Sequence, residues 1–285
     1  GGFADMSLPL AFLYGDFGRV GLVDMDSPLS SHVHRHFHFI FKLAGEDTTF
    51  RVGEREHDLS DGTAILIEPW QSHGWNGPQT AGARTLFLTF YIEPRWLAGM
   101  TAGAGEQRTE TGPSVQRPPH VRLAPDLQAG VLALADSLLA VRRDETTALS
   151  QVRQICERMV DRHLPSGVPI EARGRFQDFR IRRALARLDD PATGGQLDRI
   201  AGEVGLSRSH FFELFRRSTG FSPQFYINVT RMESAIEGLT RTEAPLADLA
   251  DTLGFSTQGN FTRFFRHQLG VTPDRFRNAA LEARG

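Results

Sequence analysis

The chain is 285 residues long, 40% hydrophobic and 23% charged, with a formal net charge of -2, which is material for two folded domains of ordinary composition. Its single cysteine, Cys156, excludes a disulfide framework or a cysteine-based zinc site within one chain. No stretch approaches the ~18–20 uncharged apolar residues of a membrane span and no basic segment precedes an apolar run at the start, so the expected location is the cytoplasm, with no membrane partner.

In chain order, the first hundred residues read as short strands. FHFIFKLAG (37–45) is a β-rich run, followed by TTFRV (48–52), TAILIEP (63–69) and TLFLTFYI (85–92), with Gly53 and Asp61-Gly62 as turn signals. Strands this short, separated by glycine and aspartate turns, predict a small barrel or sandwich. His32, His34, His36 and His38 share one parity, so on an extended strand all four point to one face. His73 follows the third run, flanked by Trp70 and Trp75.

Gly99 to His120 is rich in Gly, Pro and Thr and reads as a mobile loop. Two helical patterns follow, about Asp126 to Arg142 and about Glu145 to Leu164, the second with Leu149, Val152, Ile155, Cys156, Met159 and Val160 on one stripe. Pro165 to about Arg173 reads as a linker.

Between Leu197 and Arg277 one pattern occurs twice. Leu197, Ile200, Ala201, Val204, Gly205, Leu206 and Ser207 lead to Phe211, Leu214, Phe215, Arg216, Gly220 and Pro223; Leu246, Leu249, Ala250, Leu253, Gly254, Phe255 and Ser256 lead to Phe261, Phe264, Phe265, Arg266, Gly270 and Pro273. The offset is 49 residues up to the serine and 50 after it, so the second copy carries one extra residue. Each copy predicts a short helix with an apolar i, i+3, i+4, i+7 stripe, a glycine at positive φ, a serine N-cap and a second helix. The second of these helices is expected over roughly Thr257 to Gln268, and Pro223 to about Arg241 is expected to form a joining helix. The halves differ in charge. Residues 170–285 carry 17 Arg against 14 acidic residues, whereas residues 1–169 carry 15 Lys and Arg against 20. The chain's one lysine is Lys42, so every basic side chain of the second half is an arginine, able to grip phosphate or guanine with two donors.

From near Phe176 to Arg277 these motifs resemble the C-terminal domain of AraC/XylS-type transcription regulators; the joining helix, the one-residue difference and the closing Pro273-Asp274-Arg275-Phe276-Arg277 all fit that family. The resemblance implies that the second helix of each copy enters the major groove of double-stranded DNA. Arg208, Ser209, Phe212 and Glu213 then face base edges from the first, and Gln258, Gly259, Asn260, Thr262 and Arg263 from the second. Arg263 can read guanine, Gln258 and Asn260 adenine, Glu213 the cytosine amino group, and Phe212 a thymine methyl. Phe212 equally fits a core position. Arg216, Arg217 and Arg266 suit phosphate contacts that set position without reading sequence.

The first hundred residues resemble the double-stranded β-helix, or cupin, that serves as the effector domain of many such regulators. His32, His34, His38 and Gly45 match its first motif, and Gly62, Pro69 and His73 its second. In catalytic cupins these positions hold a first-row divalent metal. Here His38 stands where glutamate is usual, and an all-imidazole set suits zinc, iron, nickel or copper. Three readings stay open for the histidines: metal ligands, pocket lining for an organic effector, or strand-edge hydrogen bonding. His36, Trp70 and Trp75 are candidate effector contacts, and the tryptophans equally fit barrel core.

The expected fold is thus α+β in two domains: a cupin-like β-barrel with dimerisation helices, then an all-α domain with two helix-turn-helix motifs. The expected division is 1–98 barrel, 99–122 mobile loop, 123–164 helices packing on the barrel and forming a dimer interface, 165–174 linker and 175–285 DNA-binding domain. The expected function is an effector-controlled transcription regulator, an activator by family habit, without enzymatic activity, working as a homodimer with RNA polymerase as a partner. A metal-sensing regulator is the alternative, followed by a metal-dependent cupin enzyme fused to a DNA-binding domain.

Overall fold

The computed structural model describes residues 9–100, 118–164, 178–192, 196–269 and 271–282, and the chain divides into two compact units, Gly1–Ile170 with Ala279–Gly285, and Glu171–Asn278. Most of the expected loop and all of the linker proper fall outside the described residues.

The first unit is a pair of antiparallel sheets. Strands β1 (Pro9–Gly15), β2 (Gly18–Met25), β4 (Phe37–Ala44), β7 (Thr63–Ile67), β9 (Thr85–Ile92) and β10 (His120–Arg122) form one sheet, in the order β1-β2-β9-β4-β7-β10. Strands β3 (Leu29–His32), β5 (Thr48–Val52), β6 (Arg55–Leu59) and β8 (His73–Trp75) form the other, in the order β3-β8-β5-β6. The continuous apolar character of β4 follows from burial on both faces. Phe37, Phe39 and Phe41 join a core with Leu88 and Phe90 of β9 and with helices α2 (Pro125–Leu139) and α3 (Glu145–His163). The alternate residue Ile40 packs between the sheets with Phe50, Ile65, Ile67, Trp75 and Phe87. Each fully buried side chain of this size contributes roughly 1.5–3 kcal/mol relative to exposure, so the two cores together dominate the stability of the unit.

Period 2 then fixes what shares the interior with Ile40. His38 of β4 and Tyr91 of β9 are directly paired across the ladder, and both have the parity of the between-sheet residues. The inter-sheet space thus has an apolar end built on Ile40, Phe87 and Trp75 and a polar end built on His38 and Tyr91. The stripe expected on α3 is the buried one: Val152, Ile155, Cys156, Met159 and Val160 are all in the core, with Leu149 packed against it.

Three expectations change. His32 ends β3 and residues 33–36 lie outside any strand, so the four histidines do not lie on one extended strand. Gly99 closes a short helix, α1 (Pro94–Gly99), and His120 opens β10, so both ends of the expected loop are ordered. The first helical pattern stops at Leu139 rather than near Arg142, with Ala140 extended.

The second unit contains α4 (Phe179–Leu188), α5 (Leu197–Glu203), α6 (Arg208–Thr219), α7 (Pro223–Arg241), α8 (Leu246–Thr252), α9 (Gln258–Leu269) and the start of α10 (Pro273–Glu282). The two helix-turn-helix copies repeat at the level of single backbone bonds. Gly205 and Gly254 both have φ of +72°, the left-handed conformation that glycine adopts without steric cost. Leu206 N donates to Ala201 O and Phe255 N to Ala250 O, each at 2.9 Å. The α6–α7 turn follows the same logic, with Gly220 at φ +83° and Ser222 capping α7, where Pro223 needs no hydrogen-bond partner for its nitrogen. Phe211 and Phe215 of α6, and Phe261 and Phe265 of α9, are fully buried and hold the opposite faces of their helices outward.

Candidate functional sites: an imidazole cluster and two exposed helices

Four of the histidines converge although the backbone carrying them is irregular. His32 and His73 are opposite one another in the β3–β8 ladder with ring centroids 4.3 Å apart; the His34 ring lies 4.7 Å from that of His73 and 4.9 Å from that of His38. His34, His38 and His73 are buried. Their tautomers can be read from the carbonyls they meet, because a carbonyl can only accept. Nδ1 of His34 donates to His36 O at 3.1 Å, and Nδ1 of His73 donates to Gln71 O at 2.9 Å. Both rings therefore turn a lone pair on Nε2 inward. Nδ1 of His38 lies 3.0 Å from Nε2 of His34 and 3.4 Å from Nε2 of His73, close enough to donate to one or share between them. Nε2 of His38 is buried with no hydrogen-bond partner among the described residues, and the ring stacks on Tyr91 at 4.1 Å.

Burial holds all three imidazoles neutral. Desolvation, followed by the repulsion of neighbouring imidazoles, drives the pKa values of His34 and His38 well below the ordinary histidine range and brings His73 down to about 3. Neutral rings with inward lone pairs are the form that accepts a metal ion or a ligand's hydrogen-bond donor.

The other sequence candidates divide. His36 turns toward Glu93, donating from Nε2 to Oε1 at 2.9 Å, with Arg35 on the same carboxylate. Burial raises the Glu93 pKa, but the bond from His36 and the charges of Arg35 and Arg19 outweigh it and hold the carboxyl below its usual value. Trp70 is half-buried, its amide donates to His34 O at 2.8 Å, and its φ of +66° is a strained conformation for a bulky residue. Such strain concentrates where surroundings over-determine a functional geometry. Trp75 corrects the expectation of a tryptophan at the mouth of the barrel: it is buried between the sheets against Phe50 and Phe87, and Nε1 donates to Thr48 Oγ at 2.7 Å. Glu93 and Tyr91 were missed in the sequence. Both lie at the end of β9, and nothing in their spacing ties them to residues 32–38.

The outward faces of α6 and α9 carry the remaining candidates, and they are chemically unequal. On α6, Ser209, Glu213, Arg216 and Arg217 are exposed and Phe212 is half-buried against Phe211. Arg208 lies over the Phe212 ring, 5.1 Å from its centroid, and pairs with Asp198 of α5. On α9, Gln258, Gly259, Arg263 and Arg266 are exposed, with Asn260 and Thr262 half-buried. Asn260 Nδ2 donates to Ser256 Oγ at 2.7 Å, and Arg263 donates to Asn260 Oδ1. The extra residue of the second copy also moves the helix start. Thr257, not Ser256, precedes α9, and its Oγ accepts from Asn260 N at 3.1 Å, whereas Ser207 does the equivalent work for α6. A further residue absent from the sequence reading is Arg231 of α7, which donates to Pro191 O and Gly254 O and lies over the Phe255 ring.

These features define a chain with a β-rich ligand-binding unit and a helical unit built for DNA. Residues 25–169 match the AraC-like ligand binding domain family, and residues 200–279 match a helix-turn-helix domain family. The chain belongs to the AraC family of transcriptional regulators. Among curated relatives, an uncharacterized HTH-type transcriptional regulator of Staphylococcus aureus is 37% identical over 81 residues, which is 28% of this chain and 11% of that protein. The regulatory protein PocR of Salmonella typhimurium is 33% identical over 106 residues, 37% of this chain and 35% of that protein. The chain thus matches only a minor part of the length of either relative. Among solved structures, unsaturated fatty acid-bound ToxT from Vibrio cholerae superposes with a TM-score of 0.61 over 95% of this chain and 96% of its own, at 10% identity. That likeness shows a shared two-domain fold. Among the described residues no helix is long and apolar enough to cross a membrane.

Proposed function

We propose that the protein is a sequence-specific regulator acting on double-stranded DNA in the cytoplasm, switched by a small effector taken up in the barrel. The observation carrying this reading is the duplicated turn: two glycine-hinged motifs, each backing an exposed helix with two buried phenylalanines. In this reading α6 presents Arg208, Ser209, Phe212 and Glu213 to base edges and α9 presents Gln258, Gly259, Asn260, Thr262 and Arg263, while Arg216, Arg217 and Arg266 hold phosphates. Arg208 is engaged by Asp198, and Glu213 is acidic, so α9 supplies most of the discrimination. The effector lies against the imidazole cluster, with His36 and Trp70 as its candidate contacts, and works by binding the DNA-competent state with a different affinity from the incompetent one. Homodimerisation uses α2, where Leu132 and Leu139 are exposed and Val141 follows at 96% exposure. The exposed positions of α3 are instead charged, as in its Arg153–Glu157 pair. Activation through contact with RNA polymerase completes the reading. The test is selection of a binding site from a random duplex pool by the full chain. An enriched motif of two half-segments one helical turn apart supports it, and no enrichment refutes it.

A second reading, in which a divalent metal is the effector, is favoured by the geometry of the nitrogens. His32, His34 and His73 each offer one ligand atom, all within 4.8 Å of one another. The 3.0 and 3.4 Å separations around His38 Nδ1 are near the roughly 3.3–3.4 Å edge of a tetrahedron of imidazole nitrogens about 2.0–2.1 Å from a metal. Ligating histidines characteristically give their other N–H to a carbonyl, as His34 and His73 do. The residues therefore fit a zinc-like ion held by His32, His34 and His73, with His38 the candidate fourth ligand, and with no carboxylate among them they favour zinc, copper, nickel or iron over manganese. Elemental analysis of protein purified without chelator separates the readings. About one metal ion per chain, absent from a His34→Ala/His73→Ala variant, supports the metal; none in either protein leaves the imidazoles to an organic effector.

A further inference from the structure

The one-residue insertion in the second helix-turn-helix copy has a chemical consequence. In the first copy Ser207 precedes α6, and its hydroxyl accepts from the main-chain N of His210 at 3.4 Å. In the second copy the inserted position lets Thr257 take over that bond, accepting from Asn260 N at 3.1 Å. Ser256 is thereby released from capping. Its hydroxyl accepts from the side-chain amide of Asn260 at 2.7 Å, and the carbonyl end of that amide accepts from Arg263.

An isolated asparagine can present either end of its amide. Here Arg263, which can only donate, takes the oxygen end, the Ser256 hydroxyl accepts from the NH2 end and anchors the amide, and the guanidinium rests on that oxygen with its other donors unspent. We propose that Ser256 is a specificity-determining positioning residue: through Asn260 it holds Arg263 as a preset fork for one guanine. Asn260 then acts chiefly as a support rather than as an independent adenine reader, since one N–H and one lone pair of its amide are already committed. A preset long side chain loses less freedom on binding than a free one, which is worth about 3- to 10-fold in discrimination. The first copy has no equivalent, because its serine is used as the cap and glutamate, Glu213, stands at the position of Arg263. This inference rests on α9 reading bases as proposed above.

The test uses the full chain, an operator selected by the wild-type protein, single-base variants of that operator at every position, and a scrambled duplex. Arg263→Ala locates the base pair concerned by flattening preference there. Ser256→Ala is expected to reduce the best-to-worst affinity ratio at that same pair about 3- to 10-fold, leaving scrambled-duplex affinity and the thermal midpoint unchanged. Ser256→Thr, which keeps the hydroxyl, is expected to restore the ratio. Flattening by Arg263→Ala with no change in Ser256→Ala overturns the positioning role while leaving α9 as a reader. An equal loss on all duplexes together with a lowered midpoint also overturns it, because that is the signature of a cap. No change in base preference with Arg263→Ala overturns the assignment of α9, and the role of Ser256 with it.

Discussion

The replacement of Arg231 by methionine is a sharp test of how the second helix-turn-helix is held. The guanidinium donates from Nε to Pro191 O at 3.3 Å and from Nη2 to Gly254 O at 3.1 Å, and its centre lies 4.9 Å from the Phe255 ring centroid. Gly254 leaves no slack on that side: a Cβ there would be 3.0 Å from Ala192 O and 3.1 Å from Arg231 Nη2. Burial pulls the arginine pKa down, yet arginine starts so far above neutrality that it stays charged. Hydrogen bonds from a charged group are worth about 1.5–3 kcal/mol each; at these lengths, and half open to water, the lower end applies to both. The cation–π contact adds about 0.5–1 kcal/mol. Methionine keeps most of the aliphatic packing, so the loss is about 3.5–4 kcal/mol, local to the α8–α9 turn. Hydrogen exchange on the full chain reads this directly. Amides of Gly254 and Phe255, which bond to Asp251 O and Ala250 O, should exchange roughly 300- to 700-fold faster in Arg231→Met. The matching amides of Gly205 and Leu206 should be unaffected. An acceleration below about 3-fold, or one shared equally by the first turn, would refute the argument that Arg231 is the staple of the second.

Three further outcomes follow from particular contacts. A Cβ on Gly259 would meet nothing closer than Thr257 Oγ at 3.8 Å, so Gly259→Ala should stabilise α9 by about 0.5–1 kcal/mol in denaturant unfolding. If α9 lies against DNA there, the same variant binds its operator more weakly; a more stable protein with unchanged affinity removes Gly259 from the interface. Arg266→Ala should weaken binding to operator and scrambled duplex alike and reduce the slope of log K against log salt by about 0.9, whereas a selective loss on the operator alone would make it a base reader. In chelator-treated protein the barrel should lose stability as pH falls below about 6.5, since the unfolded state then binds protons that buried His34, His38 and His73 refuse. Each histidine contributes up to about 1.4 kcal/mol per pH unit until its own folded-state pKa is passed, and a thermal midpoint that stays flat from pH 7.5 to 5 would contradict the burial of all three.

What was legible in the sequence is what repeats. The DNA-binding unit could be read because its apolar stripe, positive-φ glycine and capping serine occur twice, and because helical periodicity is a local property. Strands β4, β5, β7 and β9 could be read because burial or alternation marks them in the residue types themselves. By contrast β6 (REHDL) is largely exposed, and β8 is three residues long, so neither leaves a composition signal. Parity puts His32, His34, His36 and His38 on one strand face, whereas an irregular backbone brings three of them together with His73 and sends His36 elsewhere. His32 is placed by pairing with His73, His38 by the interior face of β4, and His34 by a loop whose carbonyl at His36 fixes its own ring. His36 leaves the group because Glu93, distant in sequence, offers a better partner.

The inserted residue of the second copy shows the limit of reading a repeat by alignment alone. Superposing the copies makes Ser256 the counterpart of Ser207 and assigns it the same capping role. The structure separates them, because a helix is capped by the residue that precedes it, and insertion changes which residue that is. One added residue therefore alters two functions at once: Thr257 acquires the cap, and Ser256 acquires a side-chain partner on the exposed face. The first copy shows the other outcome of the same scaffold, with Arg208 drawn onto Asp198 and Phe212 partly withdrawn. The two helices share a fold to the level of a backbone angle, yet they present different chemistry, so an operator read by this protein should be strongly specified on one half-segment and loosely on the other.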